Sequence, residues 1–201
     1  MDIQALCTAL EKKGYGVFRA KTAQQAQAHL LENIHHKTVG FGDSQTLAAL
    51  QLPQLLAAEN TVYDPQQCTT NGEFLTVAKQ AMDTQIFLTS VNAISQTGEL
   101  VNLDGTGNRV AGSLFGHEKV YFVVGKNKIT PTLEAAIDRV RNIAAPANAR
   151  RLGLDTPCAK AEPRCYDCAS PQRICNAMVI HFHKLDDMEM EVVVIEEDLG
   201  L

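Results

Sequence analysis

The apolar positions of this chain follow two periods that alternate along its length. Ile3, Leu6, Cys7 and Leu10 recur at helical spacing within residues 2–13, and Gly14 stops the run. "YGVFRA" then reads as a short strand. Thr22 is placed to cap a helix that runs to about Asn33, with Ala26, Leu30 and Ile34 on one face. The exchange continues through a strand "TVGFG", short helices near 44–50 and 53–58, a strand "NTVYD", a helix over 73–82 and a strand "QIFLTS". Pro53 suits the first position of the second short helix. "ELVNLD" and "KVYFVVG" are further strands, and a helix covers 132–142. Such alternation predicts βαβ crossovers and a mainly parallel, Rossmann-like sheet covered on both faces: an α/β fold. The end of the chain breaks the rhythm. "AMVIHFHK", a turn at "LDD" and "MEMEVVVIEE" predict a C-terminal antiparallel hairpin. Between these regions, 144–176 reads as an irregular segment holding four of the seven prolines. Structureless stretches of that length are unusual inside a compact domain and point to function. Residues 1–201 are read as one domain.

Composition narrows the function classes. The chain is long enough to bury its own core, so overall stability needs neither metals nor disulfides. A net charge of −5, with no basic run, speaks against nucleic-acid binding, which rests on clustered Lys and Arg. The absence of Trp removes the best base-stacking side chain. "MDIQALCTALEKKGYG" lacks the pattern of a signal peptide, and no stretch approaches the ~18–20 apolar residues of a membrane span. The expectation is a soluble, cytoplasmic protein without a membrane span. In a reducing compartment, clustered cysteines more often bind metal or do redox work than form structural disulfides.

Three loops carry candidate binding chemistry, and each follows a strand. In "GFGDS", Gly40 and Gly42 let the backbone approach a ligand and Ser44 adds a hydroxyl. Alone, such a G-x-G is more simply a tight turn. The stretch 89–112 gathers Asn92, Glu99, Asn102, Asp104, Gly105, Thr106, Gly107, Asn108 and Arg109. There "DGTGNR" stands between a strand and a helix, and Arg109 can grip a phosphate or carboxylate through two N–H groups. "VGKNKI" sets Lys126, Asn127 and Lys128 at a third strand end. Loops after the strands of a parallel sheet gather at one edge, the default ligand edge. The three loops are expected to converge there on a small anionic ligand.

Cys158, Cys165, Cys168 and Cys175 lie in "TPCAKAEPRCYDCASPQRIC", spaced C-x6-C-x2-C-x6-C. The stretch has almost no large apolar side chains, so it needs docking or a staple. Four thiolates suit tetrahedral zinc or an iron–sulfur cluster. "CYDC" also has the spacing of a dithiol redox pair. Metal or cluster ranks first, a disulfide or redox pair second, and packed free thiols third. Cys7 and Cys68 read as ordinary, and His181 and His183 as the exposed face of the hairpin.

The run "SVNAISQTGELVNLDGTGNRVAG", together with "VGKNKI", "RNIAAPANARRLGLDTPC", "DC" and "RIC", resembles the LUD (lactate utilization protein B/C) family in its short, YkgG-like form. The likeness runs from about Gly40 to Leu199; Phe41 and Asp43 stand where the family commonly has Trp and Gly. It implies a fold of the NagB/RpiA/CoA-transferase-like type and a part in lactate or organic-acid utilization beside iron–sulfur partner subunits. "TGELVNLDGTGNR" also resembles a loop of sugar-phosphate isomerases of that superfamily, which implies that Glu99, Asn102, Asp104 and Thr106 face the ligand. Those isomerases have an acid where this chain has Asn92.

Residues and resemblance lead to one expectation: a small anionic metabolite or cofactor phosphate bound at the glycine loops. Arg109 with Lys126 or Lys128 would hold the anion, and Glu99 and Asp104 would do acid–base or nucleophilic work. The alternative is a non-catalytic redox or assembly protein built on a four-cysteine zinc or iron–sulfur site. Either is compatible with a homo-oligomer.

Overall fold

Helix α1 (Ile3–Lys12) begins where the Asp2 carboxylate accepts a hydrogen bond from Ala5 N, and it buries Leu6, Cys7 and Leu10. The structure is a computed structural model that describes all of residues 1–201. Strand β1 (Gly16–Ala20) leads to α2 (Ala23–Asn33), capped by the Thr22 side chain as its position predicts. Next come β2 (Thr38–Phe41), α3 (Gln45–Ala49), α4 (Leu52–Leu56), β3 (Thr61–Tyr63), α5 (Asn71–Ala81) and β4 (Ile86–Thr89). The order continues with β5 (Ala93–Ser95), β6 (Leu100–Asp104), α6 (Asn108–Gly112), β7 (Lys119–Gly125) and β8 (Ile129–Thr130). Then α7 (Leu133–Arg139) runs through a π-helical turn, Val140–Ala144, into α8 (Ala145–Arg151). The chain closes with α9 (Pro157–Lys160), β9 (Ala177–His181) and β10 (Glu189–Ile195).

Six strands form a parallel sheet in the order β1-β10-β7-β4-β2-β3. Its two faces are packed separately, as the period of a strand requires. Val120, Phe122 and Val124 face α1 and the second sheet, with Phe87, Val192 and Val194. Tyr121 and Val123 face the other way, against Leu30 of α2 and the α3–α4 leucines. The smaller sheet, in the order β8-β5-β6-β9, is mixed: β5–β8 is parallel, while β5–β6 and β6–β9 are antiparallel. No helix is long and apolar enough to cross a membrane.

The α/β class holds, with two corrections. The predicted C-terminal hairpin does not form. β9 joins the small sheet beside β6, while β10 lies in the middle of the parallel sheet between β1 and β7. The reason is legible in β10 itself: Val192, Val193, Val194 and Ile195 are all buried. A continuous apolar run needs cover on both faces, which a terminal hairpin cannot give and a central parallel strand has. His181 moves with β9. It is 2% exposed rather than on an open face, its Nε2 is 3.3 Å from Ser113 Oγ, and burial holds its imidazolium form down.

The second correction concerns residues 144–176. Their first part is helical, because α7 continues into α8 instead of ending near residue 142. Pro146 has no N–H to donate within a helix, and the wider π turn directly before it accommodates that loss. Irregular chain begins only after Gly153, whose φ is +66°.

Gly112 supports the flat face of Phe87: a Cβ there would stand 2.4 Å from the buried ring. Gly112→Ala is expected to lower stability by about 1–3 kcal/mol through overpacking, and Tm by roughly 2–4 °C per kcal/mol in a domain of this size. Gly72→Ala, in α5 with nothing within 4 Å of the new methyl, is the matched control and should leave Tm unchanged or slightly raised. Thermal unfolding of both variants checks the pair.

Candidate functional site

β2, β4 and β7 are parallel, so the chain leaves all three at the same edge of the main sheet. A cleft of ≈ 140 Å³ opens there, closed by the β6–α6 loop and by α8. A single water needs about 10–15 Å³ of such space, so a small metabolite fits. From the sequence-predicted set, Ser44, Asn92, Asp104, Gly105, Thr106, Asn108, Arg109 and Lys128 line it. The central expectation, that the strand-end loops meet, is what the geometry shows.

Lys128 forms the floor. It follows the long apolar strand β7 and is only 4% exposed, yet it carries an ammonium group. Its Nζ donates to Thr46 Oγ1 at 2.9 Å and to Ser90 Oγ at 3.0 Å, and no carboxylate pairs with it. Burial, followed by the positive charges of Arg139 and Arg109, pulls its pKa down to about 7. A buried cation without a counter-charge is costly, and such groups concentrate at sites that bind or react.

Asp43 lines the same cleft, in the left-handed backbone region at φ +48°. Burial raises the Asp43 carboxyl, while Arg109 and Arg151 oppose the rise. Asp104 is held more firmly. Its Oδ1 accepts from Gly105 N at 2.8 Å and its Oδ2 from Val110 N at 3.3 Å, and Arg109 Nη2 is 3.7 Å away. Arg109 donates from the same Nη2 to the Leu103 carbonyl at 2.8 Å. Asn108 Nδ2 is buried with no partner, an unspent donor on a cleft-lining side chain. Gly107, at φ +95°, supplies the left-handed residue from which α6 starts.

Other expected residues serve the frame. Asn92 accepts from Leu103 N at 2.9 Å through Oδ1, while its own N–H reaches Asn102 Oδ1 at 3.1 Å, so these two asparagines lock β5 to β6. Gly40 and Gly42 do not line the cleft. Gly40 is small because a Cβ would stand 2.4 Å from the Ala81 carbonyl at the end of α5. Lys126 and Asn127 hold the segment after β10: Lys126 N donates to Glu197 O at 3.0 Å, and Asn127 Oδ1 accepts from Leu199 N at 3.1 Å. Glu99 is outside the cleft. Burial works against its charge, but hydrogen bonds from Lys13, Ser95 and Thr97 hold its pKa down to about 2. A carboxylate so committed is a poor proton carrier at neutral pH.

Five polar lining residues were not among those picked from the sequence: Asp43, Gln45, Ser90, Asn148 and Arg151. Asp43 and Ser90 directly adjoin the strand ends, so the rule that collected Ser44 would have collected them. Asn148 and Arg151 come from α8, which no strand-end rule reaches.

Zinc or an iron–sulfur cluster would need the four thiols turned onto one point. Nowhere do three histidine, cysteine, aspartate or glutamate side chains converge in that way, and all six cysteines are free. Cys158 is engaged at the start of α9, its Sγ 3.3 Å from Thr156 Oγ1. Arranged like this, Cys158, Cys165, Cys168 and Cys175 do not fit a metal or cluster. The segment is docked by hydrogen bonds. Arg150 donates to the Ala159 and Ala161 carbonyls at 3.2 and 3.1 Å, Asn142 Oδ1 accepts from Cys165 N at 2.8 Å, and Asn176 N donates to Asp104 O at 2.9 Å.

Comparison with known proteins gives a family and a fold. The LUD domain family matches residues 3–195. Among solved structures, the crystal structure of a DUF162 family protein from Deinococcus radiodurans superposes with a TM-score of 0.55 at 14% identity, covering 96% of this chain and 95% of that one. No curated protein matches. A match across almost the whole chain, on the same α/β frame that builds the cleft, places this protein in the LUD domain family, which is associated with lactate utilization.

Proposed function

We propose that this chain binds a small carboxylate- or phosphate-bearing metabolite in the cleft between Lys128, Arg109 and Arg151, in the utilization of lactate or a related organic acid. The observation that carries the reading is the uncompensated Lys128 ammonium. It sits 4% exposed, with two hydroxyls but no carboxylate for partners. An anionic ligand supplies the missing counter-charge, and Arg109 and Arg151 on the cleft wall extend the same preference. The unpartnered Asn108 Nδ2 offers a further donor. The family association with lactate utilization supports a ligand of this class. Asp43, with its carboxyl raised by burial, is the group best placed to give or take a proton from the ligand. Asp104, held by two backbone N–H groups, positions Arg109.

Lactate, pyruvate, sugar phosphates, inorganic phosphate and CoA form the test panel, read by thermal shift and calorimetry. At least one member should raise Tm. Lys128→Met should abolish that shift, and Arg151→Gln should weaken binding roughly ten- to a hundredfold, the scale of one charge-assisted hydrogen bond. Arg151 bonds only its helix neighbour Asn148, so the fold does not depend on it. A panel without effect, or a Lys128→Met protein that keeps every shift, overturns the reading.

The pH dependence is specific. The folded pKa of Lys128, about 7, lies below the ~10.4 of an unfolded lysine. Between these values the unfolded chain binds the extra proton, so stability rises with pH across that window; below it both states are charged and the burial penalty is complete. Lys128→Met should remove this rise and unfold at higher temperature than wild type at pH 6. Anion affinity of the wild type should fall as pH climbs through about 7, as Lys128 loses its charge. Urea unfolding and calorimetric titration from pH 6 to 9 read both effects.

A further inference from the structure

A second cleft, of ≈ 340 Å³, shares Leu103 with the first. Its floor is apolar, with Leu103, Ile137 and Met178, and its polar side presents Arg141, Arg173, Cys165 and Cys175. Two thiols and two guanidinium groups share one opening, and the hydrogen bonds described above dock the segment without using either sulfur.

Two N–H donors are aimed at the Cys165 sulfur. Arg141 Nη2 is 3.6 Å from its Sγ, and Asp167 N donates to it at 3.4 Å. The Asp167 backbone sits in the left-handed region at φ +45°, and this turn brings its N–H onto the sulfur. The Cys165 main chain is pinned by Asn142. Arg173 ties the other thiol residues together: its Nε donates to Cys175 O at 3.0 Å and its Nη1 to Cys168 O at 2.7 Å. Cys175 faces the same cleft as Cys165, whereas Cys168 does not line it. Positive groups aimed at a partly exposed sulfur are the environment in which thiolates form and react.

We infer that Cys165 and Cys175 are a redox-active dithiol, with Cys165 as nucleophile and Cys175 as its resolving partner, reacting with low-molecular-weight disulfides that carry carboxylates. Arg141 forms no ion pair with any acid of the chain, so its charge is available to such a substrate as well as to the Cys165 sulfur. The apolar floor takes the substrate's carbon chain.

The steps balance. Cys165 thiolate attacks one sulfur of the substrate disulfide; an S–S bond forms between them and the other substrate sulfur leaves as a thiolate, which takes up a proton. Cys175, after losing its proton, attacks Cys165 Sγ, closes the protein disulfide and releases the second substrate thiol. The protein pair is oxidised and the substrate disulfide is reduced to two thiols. The inference stands apart from the anion cleft, because neither thiol lines that cleft.

The test uses the full chain, reduced and freed of reductant, with oxidised glutathione as probe. Products are trapped by alkylation and mapped by non-reducing peptide mass spectrometry. The dominant product should be a Cys165–Cys175 disulfide, with Cys7 untouched in the core. Cys175→Ser should accumulate glutathione on Cys165, and Cys165→Ser should form neither product. Arg141→Gln should slow the reaction with glutathione disulfide roughly tenfold, while leaving the reaction with neutral 2-hydroxyethyl disulfide unchanged. Attack first at Cys158 or Cys168, a Cys165–Cys168 bridge as the end product, or no mixed disulfide in Cys175→Ser each overturns the assignment. So does protein isolated with stoichiometric zinc or iron whose thiols react only after chelation. The ligand panel for Lys128 reads a different cleft, so either idea can fail without the other.

Discussion

Much of the ligand edge is arranged around one buried ammonium. Lys128 has two hydroxyls, Thr46 at the start of α3 after β2 and Ser90 directly after β4, and nothing negative. Those contacts engage two of its three N–H donors without cancelling its charge. They also tie three strand ends to one atom, so the loops are positioned by the same group that makes the cleft attract anions. Burial first, and then the positive charges of Arg139 and Arg109, disfavour the protonated lysine. A site assembled this way is pre-set for its ligand at some expense to its own stability, a trade found repeatedly where binding matters.

The cysteine segment obeys a different rule. It lacks a core of its own, and its four cysteines are free and do not converge on one point. Arg150 and Asn142 from the α7–α8 helix grip its backbone, and Asn176 bonds both Asp104 and Gly105 at its far end. Ile174 presses directly on Gly105, where a Cβ would stand 3.0 Å away. The wall of the anion cleft and the frame of the thiol cleft are therefore one stretch of chain.

The fold was legible in the sequence wherever apolar periodicity is local. Helix α1 with its Gly14 stop, α2 with its Thr22 cap, and the main strands follow directly from spacing and end signals. The pairing of β9 and β10 was not, since proximity in sequence argues for a hairpin and only the unbroken Val192–Ile195 run argues for a central strand. For the candidate site, the strand-end rule found Ser44, Asp104, Arg109 and Lys128, because parallel topology forces such loops together. It also collected Glu99, whose chemistry is spent on Lys13, Ser95 and Thr97, since partners distant in sequence cannot be seen by spacing. Arg151 and Asn148 escaped it because a helix arriving from elsewhere delivers them.

That helix carries its own constraint. α7 and α8 are joined through the π turn Val140–Ala144, in which each bond closes one residue further along than in an α-helix. An α-helix advances about 100° per residue, so the wide turn sets the angular phase of everything after it. Arg141, before its end, looks onto the thiol cleft; Asn148 and Arg151, after it, look onto the anion cleft. One extra residue, accommodated as a bulge, divides a single rod into two readers of different ligands. For this helix, length in whole residues is under tighter constraint than composition: losing one residue there would keep every side chain type and turn half of them to the wrong side.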